Sequence, residues 1–240
     1  MTTQLLALTF DANDPQGLAR FWAGVLGREV AADGVTVLPR TETGFPLRFL
    51  PTDTVKAELN QMHFDLTSDI PERQAETVER AIALGARHID VGQLPEEGHI
   101  VLADPEGNEF CVIEAGNNFL ADTDFIGALS SDGTQAVGYF WSKALDWPLV
   151  WDENEETAIQ SPKGGTKIAW GGPPVAEKPA KNRLHWDLVT AAGGDLDAEV
   201  ARLESLGASR LDMGQGDVDW VVMTDPDGNE FCVYPPNADA

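Results

Sequence analysis

The chain has 240 residues, 42% hydrophobic and 23% charged, and its 16 Lys and Arg against 40 Asp and Glu give a net charge of −24. That length allows two domains with cores of their own. Acidic charge of this size, present in both halves, repels phosphate backbones and anionic membrane surfaces and so excludes nucleic acid and membrane partners. The two cysteines, Cys111 and Cys232, fall at matching places in separate halves and are not expected to pair. No basic region precedes the apolar run at the N-terminus, so a reducing, cytoplasmic setting is expected.

Leu5 to Phe10 reads as a short strand. Asp14 can cap the helix that follows and Pro15 can take its first position. Leu18, Phe21, Trp22, Val25 and Leu26 form its apolar stripe, and Gly27 ends it. Two or three strands are expected between Glu29 and Leu50. The order then restarts. Met62 to Thr67 alternates, with His63, Asp65 and Thr67 on one face and Phe64 and Leu66 on the other. The polar stretch Ser68–Glu72 starts a helix that stops at Gly85, and strands follow near Arg87–Val91, His99–Ala103 and Glu109–Ile113. The first half is therefore two βαβββ units.

A linker near Ala115 to Asp124 leads into a second copy. Asp104-Pro105-Glu106-Gly107-Asn108-Glu109-Phe110-Cys111-Val112 returns as Asp225-Pro226-Asp227-Gly228-Asn229-Glu230-Phe231-Cys232-Val233, with one difference, Glu106 for Asp227. Phe21-Trp22 returns as Phe140-Trp141, in a helix expected from about Gly133 to Leu145. His63-Phe64-Asp65-Leu66 returns as His185-Trp186-Asp187-Leu188, and Leu84-Gly85-Ala86 as Leu206-Gly207-Ala208. A near-repeat half a chain apart marks a tandem duplication. The expected fold class is α+β, four βαβββ units in two domains, 1–118 and 119–240. GxSxG, P-loop, GxGxxG and CxxC signatures are absent.

These residues carry a resemblance to the vicinal oxygen chelate superfamily, the glyoxalase, bleomycin-resistance and extradiol dioxygenase fold. It rests on Asp14…Phe21-Trp22…Leu26-Gly27, the His63-Phe64-Asp65-Leu66 strand, Leu84-Gly85-Ala86 and the DPEGNEFCV ending, and it extends over nearly the whole chain. The closest subgroup is the glyoxalase-like domain whose members end in a GNEFCV-type strand. The resemblance implies cupped mixed sheets, each cup formed by a pair of units, whose floor in metal-dependent members holds a divalent ion. The implied ligand positions fall near Ala7, Phe49, His63 and Cys111 in the first half, and near Ile126, His185 and Cys232 in the second. Cysteine stands where a glutamate is usual, and each cup has one strong ligand, His63 or His185, the two metal candidates.

A catalytic metal site wants about three suitable ligands, so no cofactor is expected, with a divalent metal as the less favoured case. The expected function is binding of a small organic molecule. His63, Cys111 and Phe49 would line the first pocket, and His185, Cys232 and Trp170 the second. Asp65 and Asp187 lie beside the histidines and can set their tautomers. Glu109 and Glu230 share the cysteine face, although a place at the solvent rim is the preferred reading. Cys111 and Cys232 are more readily packing residues than ligands. Trp170 and Trp220 can stack on a flat ligand, and His99 occupies the place matched by Trp220. The alternatives are a metal-dependent lyase or dioxygenase and a drug-sequestering protein whose acidic charge attracts a cation. The expected assembly is a monomer with an internal pseudo-dimer, or a homodimer.

Overall fold

The computed structural model describes residues 3–94, 96–178, 180–236 and 238. Unit 1 comprises β1 (Gln4–Ala12), α1 (Pro15–Leu26), β2 (Thr36–Val37) and β3 (Leu47–Pro51). Unit 2 comprises β4 (Met62–Leu66), α2 (Pro71–Ala83), β5 (Arg87–His88), β6 (Ile100–Ala103) and β7 (Glu109–Val112). Unit 3 comprises β8 (Ile126–Ser131), α3 (Gln135–Leu145), β9 (Leu149–Glu153), β10 (Glu156–Gln160) and β11 (Lys167–Trp170). Unit 4 comprises β12 (Leu184–Val189), α4 (Leu196–Leu206), β13 (Ser209–Arg210), β14 (Val221–Thr224) and β15 (Glu230–Tyr234). Among the described residues no helix is long and apolar enough to cross a membrane.

Local chemistry sets the helix ends. The Asp14 carboxylate accepts from the Gly17 amide at 2.9 Å. A side chain at Gly17 would place its Cβ 2.2 Å from that carboxylate, so the cap itself requires glycine there. At the other end Gly27 takes φ 61°, the left-handed closure open to a residue without a Cβ. α3 closes on Asp146 at φ 57°, where a short polar side chain tolerates the same geometry.

Sheet membership does not follow the halves of the chain. The seven-stranded sheet runs β13-β14-β15-β12-β1-β3-β2 and joins unit 4 to unit 1. The eight-stranded sheet runs β5-β6-β7-β4-β8-β11-β10-β9 and joins unit 2 to unit 3. Each is closed at its centre by an antiparallel pair of first strands, β1 with β12 (Thr9 opposite His185) and β4 with β8 (His63 opposite Ser130). Each cup thus takes one unit from each half, where two consecutive units were expected to build it. The physical reason is the open edge of the first strand, which an antiparallel twin satisfies along its length.

The two units of each half are joined instead through the core. Trp22 of α1 packs on Phe64 (5.2 Å between rings) and Phe110 (5.0 Å) of unit 2, and Phe10 of β1 lies 5.9 Å from Phe64. Trp141 repeats this on Phe231 at 5.1 Å. The indole N–H of Trp22 donates to Asp104 at 3.1 Å, and that of Trp141 to Asp225 at 3.2 Å. Asp104 also accepts from the amides of Glu106 and Asn108 and from the Asn108 side chain, at 2.9, 2.9 and 2.8 Å. The repeated DPxGN turn is therefore a buried carboxylate wrapped by its own loop and pinned by a tryptophan of the preceding unit. The single difference in the repeat stays near that junction. Glu106 accepts from the amides of Asn13 and Asp14 before α1, and from Arg183 at 2.7 Å. The shorter Asp227 accepts from the amide and hydroxyl of Thr134 before α3.

Candidate functional site

In the eight-stranded sheet the alternation of β4 sends Phe64 to the core and His63 and Asp65 to the concave face. His63 Nε2 lies 3.5 Å from Asp65 Oδ1, and Asp65 Oδ2 accepts from the Ser130 hydroxyl of β8 at 2.5 Å. On the neighbouring β7, Phe110 and Val112 enter the core, while Cys111 faces the cup among Val101, Ile113, Leu120 and Ala128. Donor atoms of His63, Asp65 and Cys111 all lie within 4.8 Å of one another. Two lobes meet at His63. One, of about 420 Å³, has Trp151, Phe119 and the edge of Trp170 in its wall, with Ala169 and Ser130 on its strands. The other, of about 410 Å³, is bounded by Cys111, Val101, Leu59 and Ala176. Asn60, Gln61 and Asp132 border both.

The seven-stranded sheet holds the same triad, His185, Asp187 and Cys232, also within 4.8 Å. His185 Nε2 is 3.6 Å from Asp187 Oδ1, and Thr9 donates to Asp187 Oδ2 at 2.5 Å as Ser130 does to Asp65. Arg48 adds a contact with no counterpart, its guanidinium 3.4 Å from Asp187. Arg48 pairs with Thr9 across β3 and β1, and Ala169 pairs with Ser130 across β11 and β8. The two residues therefore occupy equivalent positions, a guanidinium in one cup and a methyl group in the other. Exposure follows. The side chain of His63 is 37% exposed and that of His185 9%. Trp220 stacks on Tyr234 at 5.4 Å on the His185 side.

Charge diverges with shape. Burial works against protonated His63, but hydrogen bonds to Asp65 and Cys111 and the Asp65 charge outweigh it and push the imidazole up to about 10. His185 is pushed down to about 3 by burial, with Lys181 and Arg48 adding to the effect. Burial raises Asp187 to about 6, against the pull of Thr9 and Arg48. Burial also raises both thiols, Cys232 to about 12 with Asp187 contributing, while His63 partly opposes it at Cys111. An imidazolium faces Asp65 in the open cup, and a neutral imidazole sits beside an arginine-paired carboxylate in the closed one.

The sequence-derived sets divide differently in space. Phe49, expected beside His63, is fully buried on the core face against Phe10 at 5.1 Å, in the sheet that carries His185. Trp170, expected with His185, belongs to the sheet of His63, where it is 3% exposed and mostly core. The equivalent first-strand positions are Ala7, opposite Asp187, and Ala128, opposite Asp65, whereas Ile126 lies in the core. Glu109 and Glu230 anchor loops rather than standing free at a rim. Glu109 pairs with Lys56 and accepts from the Asn60 amide, and Glu230 pairs with Lys178 at 2.6 Å and accepts from the Asn182 amide. His99 lies 3.9 Å from Glu97. Sequence reading passed over Arg48, Ala169, Thr9, Ser130, Lys56 and Lys178. The signal for the first two was present, because Leu47-Arg48-Phe49 and Ile168-Ala169-Trp170 alternate and place the middle residue opposite its apolar neighbours.

A family model described as a glyoxalase-like domain matches residues 7–113 and again 128–234. Among solved structures, glyoxalase I from Zea mays is 13% identical with a TM-score of 0.63, over 97% of this chain and 92% of that one. A putative dioxygenase from Bacillus subtilis subsp. subtilis str. 168 is 14% identical with a TM-score of 0.63, over 99% and 86%. At these identities the likeness is one of fold. No curated protein matches the chain.

Proposed function

The chain belongs to the glyoxalase-like domain family as two tandem copies, and from that premise we propose that it binds a small organic molecule in the cup of the eight-stranded sheet, without a three-ligand catalytic metal. The observation that carries this reading is the exchange of Arg48 for Ala169 at equivalent positions. The methyl group of Ala169 leaves the floor beside His63 open, while in the other cup the Arg48 guanidinium lies against buried Asp187 and His185 is only 9% exposed. The open cup offers what small-molecule sites use, an aromatic wall of Trp151 and Phe119 with a few fixed polar groups. The protonated His63, held by Asp65 and ringed by Asn60, Gln61 and Asp132, would orient a polar end of the ligand.

Donor chemistry supports the second half of the proposal. His63, Asp65 and Cys111 come from the adjacent strands β4 and β7, and the facing unit offers Ala128 and Ala169. His63 Nε2 faces Asp65 at 3.5 Å, and burial pushes the Cys111 thiol up, so a metal there would have to displace the thiol proton. In the other cup a cation would sit beside Arg48. Three donors converge in each cup, but the thiol is raised by burial in both, which disfavours a three-ligand centre, and no step is derived through one. Elemental analysis of protein purified without chelator should find no stoichiometric Zn, Ni, Fe or Mn; finding one would favour the lyase or dioxygenase reading.

Asp132 and Glu156 line the same lobe, and with the His63 charge paired to Asp65 these two carboxylates favour a cationic ligand and with it the sequestering form of this function. The test uses proflavine, a planar aromatic cation, followed by quenching of tryptophan fluorescence. Ala169→Arg should copy the closed cup and weaken binding at least about tenfold, or about 1.4 kcal/mol. Equal quenching of the variant and the parent would rule out this cup as the site. Screening by salt should weaken the complex, as it does for exposed charges.

A further inference from the structure

A second cleft, of about 410 Å³, lies between the C-terminal end of α1 and the exposed flank of α2. It shares no residue with the His63 cup. In a chain whose acidic residues outnumber its basic ones 40 to 16, this cleft gathers Arg40, Arg73 and Arg80 against one carboxylate, Asp69. Arg73 is engaged at the surface by Glu76 at 2.8 Å and Asp69 at 3.9 Å. Arg40 forms no ion pair among the described residues. Its charge joins burial in depressing the neighbouring Arg28, with Asp124 opposing.

The duplication supplies an internal reference for Arg80. Counting back from Leu84-Gly85-Ala86 and Leu206-Gly207-Ala208, Arg80 corresponds to Arg202, Thr77 to Glu199 and Arg73 to Asp195. Both arginines close the end of the helix before them. Arg80 Nε donates to the Val25 carbonyl at 3.1 Å, and Arg202 donates to the carbonyls of Ala144 and Lys143 at 2.8 and 3.2 Å. Arg202 is then met by the Glu199 carboxylate, at 2.6 Å from Nη2 and 3.1 Å from Nε. Arg80 meets the Thr77 hydroxyl at 3.4 Å in that direction, with Phe125 beneath its guanidinium at 5.8 Å. The first half therefore retains the cation, its helix-end bond and an aromatic support, and has open cleft where the second half has an anion.

We propose that this cleft binds a phosphate group, free or as a small monoester, in the place that Glu199 occupies beside Arg202. Arg80 and Arg40 would hold its oxygens through charge-assisted hydrogen bonds; because Nε of Arg80 donates to the Val25 carbonyl, its Nη1 and Nη2 offer the paired donors that phosphate accepts. Thr77 would donate its hydroxyl, that of Thr67 being directed to the Asp124 and Phe125 carbonyls, and the alcohol portion of a monoester would run past Val25 and Phe125.

The experiment is titration calorimetry on the full chain at low ionic strength with inorganic phosphate, glycerol phosphate and succinate. Phosphate should bind with a Kd of about 1 mM or tighter, and glycerol phosphate more tightly if the monoester is the natural source. Arg40→Gln should weaken it at least about tenfold. Thr77→Glu, which restores the carboxylate of the second half, should abolish binding while leaving the unfolding midpoint unchanged or raised, so loss of fold cannot mimic the result. Absence of phosphate binding by the parent, binding of succinate alone, or full binding by Thr77→Glu would each overturn the assignment. Ala169→Arg should leave this binding intact, which separates its outcome from that of the cup.

Discussion

Replacing Asp104 with alanine is expected to destabilise the protein by about 3–5 kcal/mol, measured as a fall in the urea midpoint. The size follows from what is left behind. Trp22 Nε1, two backbone amides and the Asn108 side chain all donate to this one carboxylate inside the core. Each buried donor left without its acceptor costs about 1–3 kcal/mol, because it stays desolvated. Burial also pushes Asp104 up to about 6, against these hydrogen bonds. Its intrinsic contribution is therefore greatest below the unfolded carboxylate value and falls as pH rises through 6, so the deficit of the variant should be larger at pH 5 than at pH 8. Asp225→Ala should behave alike, since Trp141 and Asn229 repeat the arrangement. A cost below about 1 kcal/mol in both variants would show that the turn does not hold α1 and α3 to the core.

Arg48→Ala should have the opposite dependence on pH. The substitution removes the cation 3.4 Å from fully buried Asp187 and opens the closed cup, at a cost of about 3–5 kcal/mol near pH 8. Asp187 is already raised to about 6 with Arg48 in place, and removing a group that lowers it raises it further. Below that value the carboxyl takes up a proton and no longer needs the guanidinium. The loss should therefore shrink on going from pH 8 to pH 5 and grow again as the acid ionises. Urea denaturation of parent and variant at the two pH values measures it, and a difference independent of pH would mean that Arg48 stabilises the cup through packing alone.

Much of the architecture was legible from single residues. Asp14, Pro15 and Gly27 bracket α1 through local bonds that need nothing from the rest of the chain. The repeated DPxGN turn is likewise a local wrapping of one carboxylate, which is why both copies stand out in the sequence. Alternation in β4 and β7 placed His63, Asp65 and Cys111 on one face, and the structure brings their donor atoms together. Which units would share a sheet was not legible, because the pairing of β1 with β12 spans more than 170 residues and depends on the satisfaction of strand edges. That choice decides which side chains meet. It separates Phe49 from His63, unites Trp170 with it, and brings Ser130 and Trp151 to a histidine of the other half. The functional asymmetry rests on Arg48 and Ala169, residues with no motif around them, which become comparable only once both strand registers are known.

The crossed sheets also bear on what fusion of the two halves has made available. A single half, separated at the linker, would present β1 and β4 as unpaired edges and could complete its cups by meeting another copy of itself. Such a dimer would be symmetric, and every substitution would appear in both cups at once. Joined in one chain, the partner strands are held at the effective concentration set by the linker rather than by the amount of protein present, and each cup can change alone. An arginine that seals one cup costs the other nothing, so the closed cup can be kept for stability while its twin keeps an opening.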